Sequence, residues 1–285
     1  MRSHIEIIKS HPLTVFTYLA FAALFAPTFY KLYSYGWNNA DYSHGPLILI
    51  AFFWLLWRDR EKFTLSCEAD INVLSLSFLL FGLFCYMVGS ILSSMVLESF
   101  AMVPVLIGAT GFLYGRQAVS SILFPALFLI FLVPPPGFFI DMVTFPLKLG
   151  VAVVSAYVLK AAGYLISRDG AIMYIGDYTI IVGDACSGMR SLVSLMAVGA
   201  VYAYLQTISN FKKVVLFLSV IPISIAANTI RLIVLALITY HYGEAAGQGF
   251  FHNFSGILLF LIAMGGLVCI DIFLNGKRAP HVERR

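Results

Sequence analysis

Long apolar segments dominate this sequence and restrict the folds that it can adopt. A helix that crosses a bilayer needs about 20 predominantly apolar residues. Only 11% of the 285 residues are charged, whereas an average soluble domain carries roughly 25%. We therefore predict an all-α polytopic membrane protein and exclude ordinary soluble, disordered and disulfide-rich secreted proteins. The eight predicted spans are residues 13–33, 44–57, 71–92, 95–115, 118–133, 187–206, 214–240 and 255–274.

No polar linker divides the chain, so we predict a single integral membrane domain over residues 1–285. Within it, residues 187–274 form the last three spans, and residues 134–186 form an outer-face element. That element contains a helical segment at 142–163, which carries two lysines and is predicted to lie on the membrane or to re-enter it. The segments AIMYI and YTIIV, joined by Gly176-Asp177, predict a small extracytoplasmic β-hairpin.

The basic residues of the short loops predict the orientation of the spans. Cytoplasmic loops are enriched in Lys and Arg. If the N-terminus is cytoplasmic, the basic loops after the second, fourth, sixth and eighth spans all lie on the cytoplasmic side. The loops on the opposite side are nearly free of Lys and Arg, apart from Lys148, Lys160 and Arg168 in the outer-face element.

Cys186 lies in GDACSGMRSL, at the predicted outer end of the sixth span. The start of a helix favours a thiolate, and the small neighbouring residues leave the sulfur accessible. The alternative is a small buried hydrophobic residue, as most free cysteines are. Because none of the four cysteines forms a CxxC pair, we predict neither a metal site nor a disulfide framework, and no cofactor.

Arg231 lies within the seventh span, 18 residues after Lys213. This separation is about 27 Å along a helix, and the hydrocarbon core is about 30 Å thick. Arg231 is therefore predicted to reach the outer leaflet, near the depth of Cys186, with Asn228 on the same helical face. A buried arginine needs an anionic partner, whereas the alternative is a side chain that extends to the headgroups.

His252 lies just before the eighth span, also on the predicted outer face. Its ordinary pKa, about 6.5, suits a general acid or base, but it is equally read as an interfacial histidine among phenylalanines. Two weaker candidates are predicted to bind substrate. Arg190 lies one turn after Cys186 and suits a carboxylate or lipid headgroups, and His44 either lines the same cavity or caps the second span.

A thiol, a guanidinium and an imidazole at one membrane face are the groups needed for acyl transfer by a cysteine. The thiolate attacks a carbonyl, the arginine holds the negative oxygen, and the histidine protonates the leaving amine. The candidates for these roles are Cys186, Arg231 and His252. Their spacing along the chain does not establish that they meet.

The segments ACSGMRSL (185–192), NTIR (228–231) and FFHNFSG (250–256) occur in this order at the outer ends of the last three spans. Together with SHGPLILIAFFWLLWR (43–58), they resemble the exosortase/archaeosortase family of integral membrane transpeptidases. The resemblance implies that Cys186 is the nucleophile, Arg231 the stabiliser and His252 the general acid/base.

The resemblance also implies the partners and the location of the protein. The substrates would be exported proteins with a C-terminal sorting signal: a short motif, often Pro-Glu-Pro, a transmembrane helix and a basic tail. The enzyme would transfer them through a thioester to a cell-surface glycan or lipid acceptor. It would lie in the bacterial inner membrane with its active site facing the extracytoplasmic side, and nucleic acid is not an expected partner.

Other function classes remain open from the residues themselves. A transporter or flippase for a lipid or polysaccharide precursor would use Arg231 to bind phosphate, and Cys186 would be incidental. A polyprenyl-linked glycosyltransferase usually has an acidic pair at the outer face, for which Asp41 is the single weak candidate. A non-catalytic assembly subunit is a further alternative.

Overall fold

The computed structural model describes residues 12–38, 43–60, 73–182, 188–248 and 250–275. Within these ranges, the side chains of residues 12–15, 139–140, 188–191, 247–248 and 250–255 are outside the description. The described helices are α1 (Pro12–Lys31), α2 (Gly45–Arg58), α3 (Val73–Ile91), α4 (Met95–Phe128), α5 (Gly137–Ala161), α6 (Gly188–Leu205), α7 (Asn210–Leu218), α8 (Val220–Tyr242), α9 (Glu244–Gln248) and α10 (Phe250–Asn275). A π-helical turn (Leu32–Gly36) follows α1, and a 3₁₀ turn (Leu129–Leu132) follows α4.

The apolar segments form helices, and five helical stretches of the described residues are long and apolar enough to cross a membrane. The predicted class, an α-helical membrane protein, is confirmed at this level, but the count of eight spans is not. Two further apolar helices are shorter than a usual span, Gly45–Arg58 and Leu192–Leu205. The five long stretches are Val73–Ile91, Met95–Leu132, Asp141–Ala161, Asn210–Tyr242 and Gly256–Asn275.

Local sequence signals define several helix ends. The hydroxyl oxygen of Ser94 accepts a hydrogen bond from the amide of Leu97 at the start of α4, and Ser209 caps α7 through the amide of Lys212 in the same way. Such caps satisfy amide groups that have no partner in the first turn. At the other end of a helix, Gly243 follows α8 with a φ of 84°, a conformation that glycine adopts without strain.

The long helix α4 is interrupted at Gly115, where φ is 77° and ψ is 179°. This conformation is accessible almost only to glycine. The chain folds back at this point. Gly111 and Val119 lie on either side of the break, and they are so close that a methyl group on Gly111 would lie 2.8 Å from Cγ2 of Val119. The interruption falls where the sequence predicts one span, 95–115, to end and the next, 118–133, to begin.

The described residue contacts fall into two compact units, Met1–Pro136 and Gly137–Arg285. In the first unit, α3 packs tightly against α4, and α1 packs against α4 as well. The prediction of one domain over residues 1–285 stays a prediction.

In the second unit, α5 runs alongside α8 in the same direction. The hydroxyl of Ser155 donates to the carbonyl oxygen of Thr229, and Val151, four residues earlier, shares a cleft with Ile225. One turn later, Leu159 belongs to the same buried cluster as Leu232 and Leu235. The pairing therefore advances in both helices together.

The helices α6 and α10 run opposite to α8. Gly199 of α6 packs against Val220 at the start of α8, and Leu192, earlier in α6, lies in a cleft with Asn228, later in α8. A methyl group on Gly266 of α10 would lie 3.1 Å from Cγ2 of Ile223. A buried apolar cluster that includes Leu195, Ala227 and Leu259 joins the three helices.

A three-stranded antiparallel sheet lies along the C-terminal half of α8. Its strands are β1 (Ile166–Asp169), β2 (Ile172–Ile175) and β3 (Tyr178–Ile181), paired in that order. The predicted hairpin around Gly176-Asp177 is confirmed, with Ile175 opposite Tyr178. Strand β1 was not predicted, because its sequence ISRD lacks the run of β-branched and aromatic residues that marks β2 and β3.

The position of α5 bears on the predicted outer-face helix at 142–163. Because α5 packs lengthwise along α8, the two helices lie in the same layer of the membrane. This packing argues against a helix lying flat on the membrane surface. The depth of α5 in the bilayer stays a prediction.

Candidate active site

The predicted nucleophile lies outside the described residues. Cys186 belongs to residues 183–187, and the first described helical residue after it is Gly188, the start of α6. Arg190 and His252 lie in the helices α6 and α10, but their side chains are outside the description. The structure therefore does not test the meeting of Cys186, Arg231 and His252.

Arg231 and Asn228 are both buried in α8, and each side chain is 6% exposed. They lie three residues apart and thus on the same helical face. The Oδ1 atom of Asn228 is buried and accepts no hydrogen bond from any described residue. A buried polar atom without a partner costs free energy, so this oxygen is a point at which a donor from water or substrate would be favoured.

Asn228 lines a small cleft between α5, α6 and α8. The cleft has a volume of about 20 Å³, which is enough for roughly one water molecule. Half of its lining residues are polar or charged. The lining consists of Thr144, Leu147, Lys148, Val151, Leu192, Ser224, Ile225 and Asn228.

Gly188, the first described residue of α6, is level with Arg231. Gly199 packs against Val220, and in an antiparallel pair each step back along α6 matches one step forward along α8. Eleven steps from this contact lead to Gly188 on one helix and to Arg231 on the other. The backbone two residues after Cys186 is therefore at the depth of the guanidinium-bearing residue.

The same reasoning locates the backbone of His252. Gly266 faces Ile223, so the residue of α10 level with Arg231 is eight residues before Gly266. His252 lies six residues further toward the start of α10, about 9 Å along the helix axis. The backbone of His252 is thus level with Leu237, nearer the end of α8 that carries the sheet, whereas Arg231 is at the middle of α8.

His44 belongs to the first unit, at the start of α2. It is 8% exposed, and its Nε2 lies 3.3 Å from the carbonyl oxygen of Phe131. It occupies the N-cap position of α2, but its side chain forms no cap hydrogen bond there. The predicted contribution of His44 to a shared substrate cavity stays a prediction.

Two polar features of the structure were not predicted from the sequence. Lys148 lines the cleft beside Asn228. Its position within an apolar helical segment was the sequence feature that could have indicated a buried polar site. Glu98 is 1% exposed, and it binds Lys31 through an Nζ–Oε1 contact of 2.6 Å. The signal for this pair was an acidic residue inside a predicted span, which is costly in a membrane.

Within the described ranges, no three His, Cys, Asp or Glu side chains are grouped so that they would hold a metal ion.

Comparison with protein-family models identifies the family of the chain. A family model described as transmembrane exosortase matches residues 37–269, a range that contains Cys186, Arg231 and His252. No curated protein matches the chain, and no solved structure matches it either.

Proposed function

The chain belongs to the transmembrane exosortase family, and we propose that it is a membrane-embedded cysteine transpeptidase. In this proposal it cleaves a C-terminal sorting signal from exported proteins and transfers them to a cell-surface acceptor through a thioester. The resemblance identified from the sequence agrees with the family match. The activity and the substrate class are our inference from the family and from the residues.

One structural observation carries the proposal. Arg231 and Asn228 are buried on one face of an apolar helix, and Arg231 is level with Gly188, two residues after Cys186. A guanidinium in such surroundings is suited to stabilising negative charge that develops beside it, such as the oxyanion of an acyl-transfer intermediate. Six residues after Cys186, Leu192 shares the cleft with Asn228.

The first step of the proposed reaction forms the thioester. The thiolate of Cys186 attacks the scissile carbonyl carbon, a C–S bond forms, and the carbonyl oxygen becomes negative. The guanidinium of Arg231 stabilises this oxygen with charge-assisted hydrogen bonds. The intermediate then collapses: the C–N bond breaks, and His252 in its protonated form gives its proton to the leaving amine.

The second step releases the product and restores the enzyme. His252, now neutral, takes a proton from the amine or hydroxyl of the acceptor, which attacks the thioester carbon. The C–S bond breaks, and its electron pair returns to sulfur as the thiolate of Cys186. No external oxidant or reductant is needed, because both steps exchange one acyl bond for another.

Other residues of the site are proposed to bind the substrate. Asn228 has a buried acceptor oxygen, which suits a peptide N–H of the substrate or a water molecule that bridges to it. Arg190 is proposed to bind a carboxylate of the signal motif, and His44 is proposed as a further substrate-binding residue. The substrate helix would enter from the lipid, with the scissile bond just outside the membrane.

The test is co-expression with a tagged protein that carries a Pro-Glu-Pro-type sorting signal. Processing by the wild type is compared with processing by Cys186→Ala, Arg231→Lys and His252→Ala. We expect Cys186→Ala to abolish cleavage while the protein stays inserted and abundant. Arg231→Lys should also fail, because an ammonium group does not reproduce the bidentate geometry of a guanidinium.

Cys269→Ala is the matched control, because Cys269 is an exposed free cysteine of α10. This variant should process the substrate like the wild type. Full processing by Cys186→Ala would contradict thiol chemistry. Two results together would instead favour the transporter alternative. The substrate would stay uncleaved in every strain, and the export of a lipid or polysaccharide precursor would depend on Arg231 but tolerate Cys186→Ala.

A further inference from the structure

The first unit contains a large apolar groove that the proposed reaction does not use. Its volume is about 500 Å³, within the range of roughly 300–1,000 Å³ that is usual for ligand sites. It lies between α1, α2 and the two parts of α4, and its rings include Phe21, Phe29 and Phe52. Phe53 also lines it and is 63% exposed, so the groove opens at the surface.

The groove is elongated along the helices. On α1 its lining extends from Tyr18 to Phe29, and on α2 it extends from Leu49 to Arg60 just beyond the helix end. Each stretch covers eleven residue steps, which correspond to about 16 Å in a helix. The shape is therefore that of a long and narrow apolar channel rather than of a compact pocket.

One end of the groove is cationic. Arg60 is the charged residue among its described lining residues. One Nη1–H donates to the carbonyl oxygen of Trp57 at 3.2 Å, and the guanidinium lies over the Trp57 ring, 4.6 Å from its centroid. These contacts hold the group in place at the mouth of the groove. A guanidinium has five N–H donors, and the described residues engage one of them in a hydrogen bond, so others can face an anion.

We propose that this groove binds one acyl chain of an anionic phospholipid, with the lipid phosphate on Arg60. A ligand with a long apolar tail and a negative head matches a long apolar channel with a cation at one end. The basic residues around Arg60 predict a cytoplasmic position, and anionic lipids are enriched in that leaflet. Inorganic phosphate would leave the apolar part empty.

A transmembrane helix of a protein partner does not fit the same space. A helix with side chains is about 10–12 Å wide, so a 16 Å length of it occupies roughly 1,300–1,800 Å³, about three times the volume of the groove. The proposal therefore commits to a lipid chain. It is independent of the transpeptidase activity, since none of its residues belongs to the proposed reaction.

The test uses the full-length protein, purified in a mild detergent and delipidated. Phosphatidylglycerol, phosphatidylcholine with the same acyl chains, and a polyprenyl phosphate are titrated separately. Thermal unfolding and native mass spectrometry report binding. We expect phosphatidylglycerol to bind and to raise the melting temperature, and Arg60→Gln to weaken this binding about tenfold through the loss of charge-assisted hydrogen bonds.

Arg58→Gln is the matched control, because Arg58 lies over the Trp54 ring instead of lining the groove. This variant should bind lipid like the wild type. Leu49→Trp fills the far end of the groove and should weaken phosphatidylglycerol binding while Arg60 is intact. Equal binding of phosphatidylglycerol and phosphatidylcholine that is unchanged in Arg60→Gln would overturn the proposal. Binding of polyprenyl phosphate alone, or full binding by a folded Leu49→Trp variant, would overturn it as well.

Discussion

Glu98 shows how a single residue fixes two helices of a membrane protein. Its carboxylate is 1% exposed and accepts from the Nζ of Lys31 at 2.6 Å and from the Oγ1 of Thr28 at 3.2 Å. Both donors lie in the last two turns of α1, and Glu98 lies in the first turn of α4. The charge is thus satisfied across a helix contact.

Removal of Lys31 should destabilise the first unit. In Lys31→Met the carboxylate keeps the Thr28 hydrogen bond but loses its cation. We expect the free energy of unfolding to fall by about 1.5–3 kcal/mol, the range for hydrogen bonds to charged groups. The Lys31 side chain is 38% exposed, so water limits the loss. Thermal unfolding in detergent measures it.

The double variant Lys31→Met/Glu98→Gln serves as the control for this pair. It removes the buried charge together with its partner, so most of the lost stability should return. A Lys31→Met protein that is as stable as the wild type, with no recovery in the double variant, would show that the pair contributes nothing.

At the residue scale, the sequence identified the buried polar residues of α8 but not their surroundings. Arg231 and Asn228 were singled out because polar groups inside an apolar span are costly, and both are buried. Lys148 was noticed only as an exception to the charge rule. Its proximity to Asn228 depends on the packing of α5 against α8, which the local sequence does not encode.

At the scale of elements, the break in α4 depends on one glycine. The φ and ψ angles of Gly115, 77° and 179°, are strained for any residue with a side chain. Gly115→Ala should therefore lower the free energy of unfolding by about 1–3 kcal/mol. Chemical or thermal unfolding of the purified protein provides the measurement.

Gly150→Ala is a suitable control for Gly115→Ala. Gly150 lies within α5, and a methyl group there meets no atom within 4 Å. Alanine favours the helix over glycine, so this variant should be neutral or up to about 1 kcal/mol more stable. If the two substitutions have the same effect, the break at Gly115 is not held by its backbone conformation.

The contact between α3 and α4 depends on small residues. A methyl group on Gly82 would lie 2.6 Å from Cγ2 and 2.7 Å from the backbone N of Val105. Gly82→Ala should force the helices apart and cost about 1–3 kcal/mol, as overpacking does. Gly265→Ala, in α10, meets no atom within 4 Å and should be tolerated in the same unfolding assay. A stable Gly82→Ala protein would contradict the close contact.

The elements themselves were largely predictable, because apolar length and turn residues are local signals. The spans at 71–92 and 187–206 correspond to α3 and α6, and the hairpin turn at Gly176-Asp177 was placed correctly. The division of the seventh predicted span into α7 and α8 was missed. No Gly or Pro stands at Ser219, where the two helices meet.

At the scale of the whole molecule, the orientation in the membrane is a testable prediction. Variants that keep only Cys186 or only Cys67 are labelled in spheroplasts with a membrane-impermeant thiol reagent. The charge of the loops predicts that Cys186 reacts from outside and that Cys67 reacts only after permeabilisation. Equal protection of the two cysteines would contradict the outward position of the proposed site.

The direction of α5 is the part of the architecture that sequence reasoning handled least well. The composition of residues 142–163 predicts an apolar helix, but its two lysines favoured a position on the membrane surface. The structure packs α5 lengthwise along α8, with Ser155 bonded to Thr229. The neighbour against which a helix packs depends on the shapes of its side chains over several turns, and hydropathy alone does not describe these shapes.

The burial of Arg231 has an electrostatic consequence. The residue is 6% exposed, and its helix α8 packs against α5, α6 and α10. Fewer water molecules screen a charge in such surroundings than at an exposed surface, so the field of the guanidinium decays more slowly with distance. Negative charge that develops beside this part of α8 is therefore stabilised more strongly than it would be by an arginine in contact with bulk water.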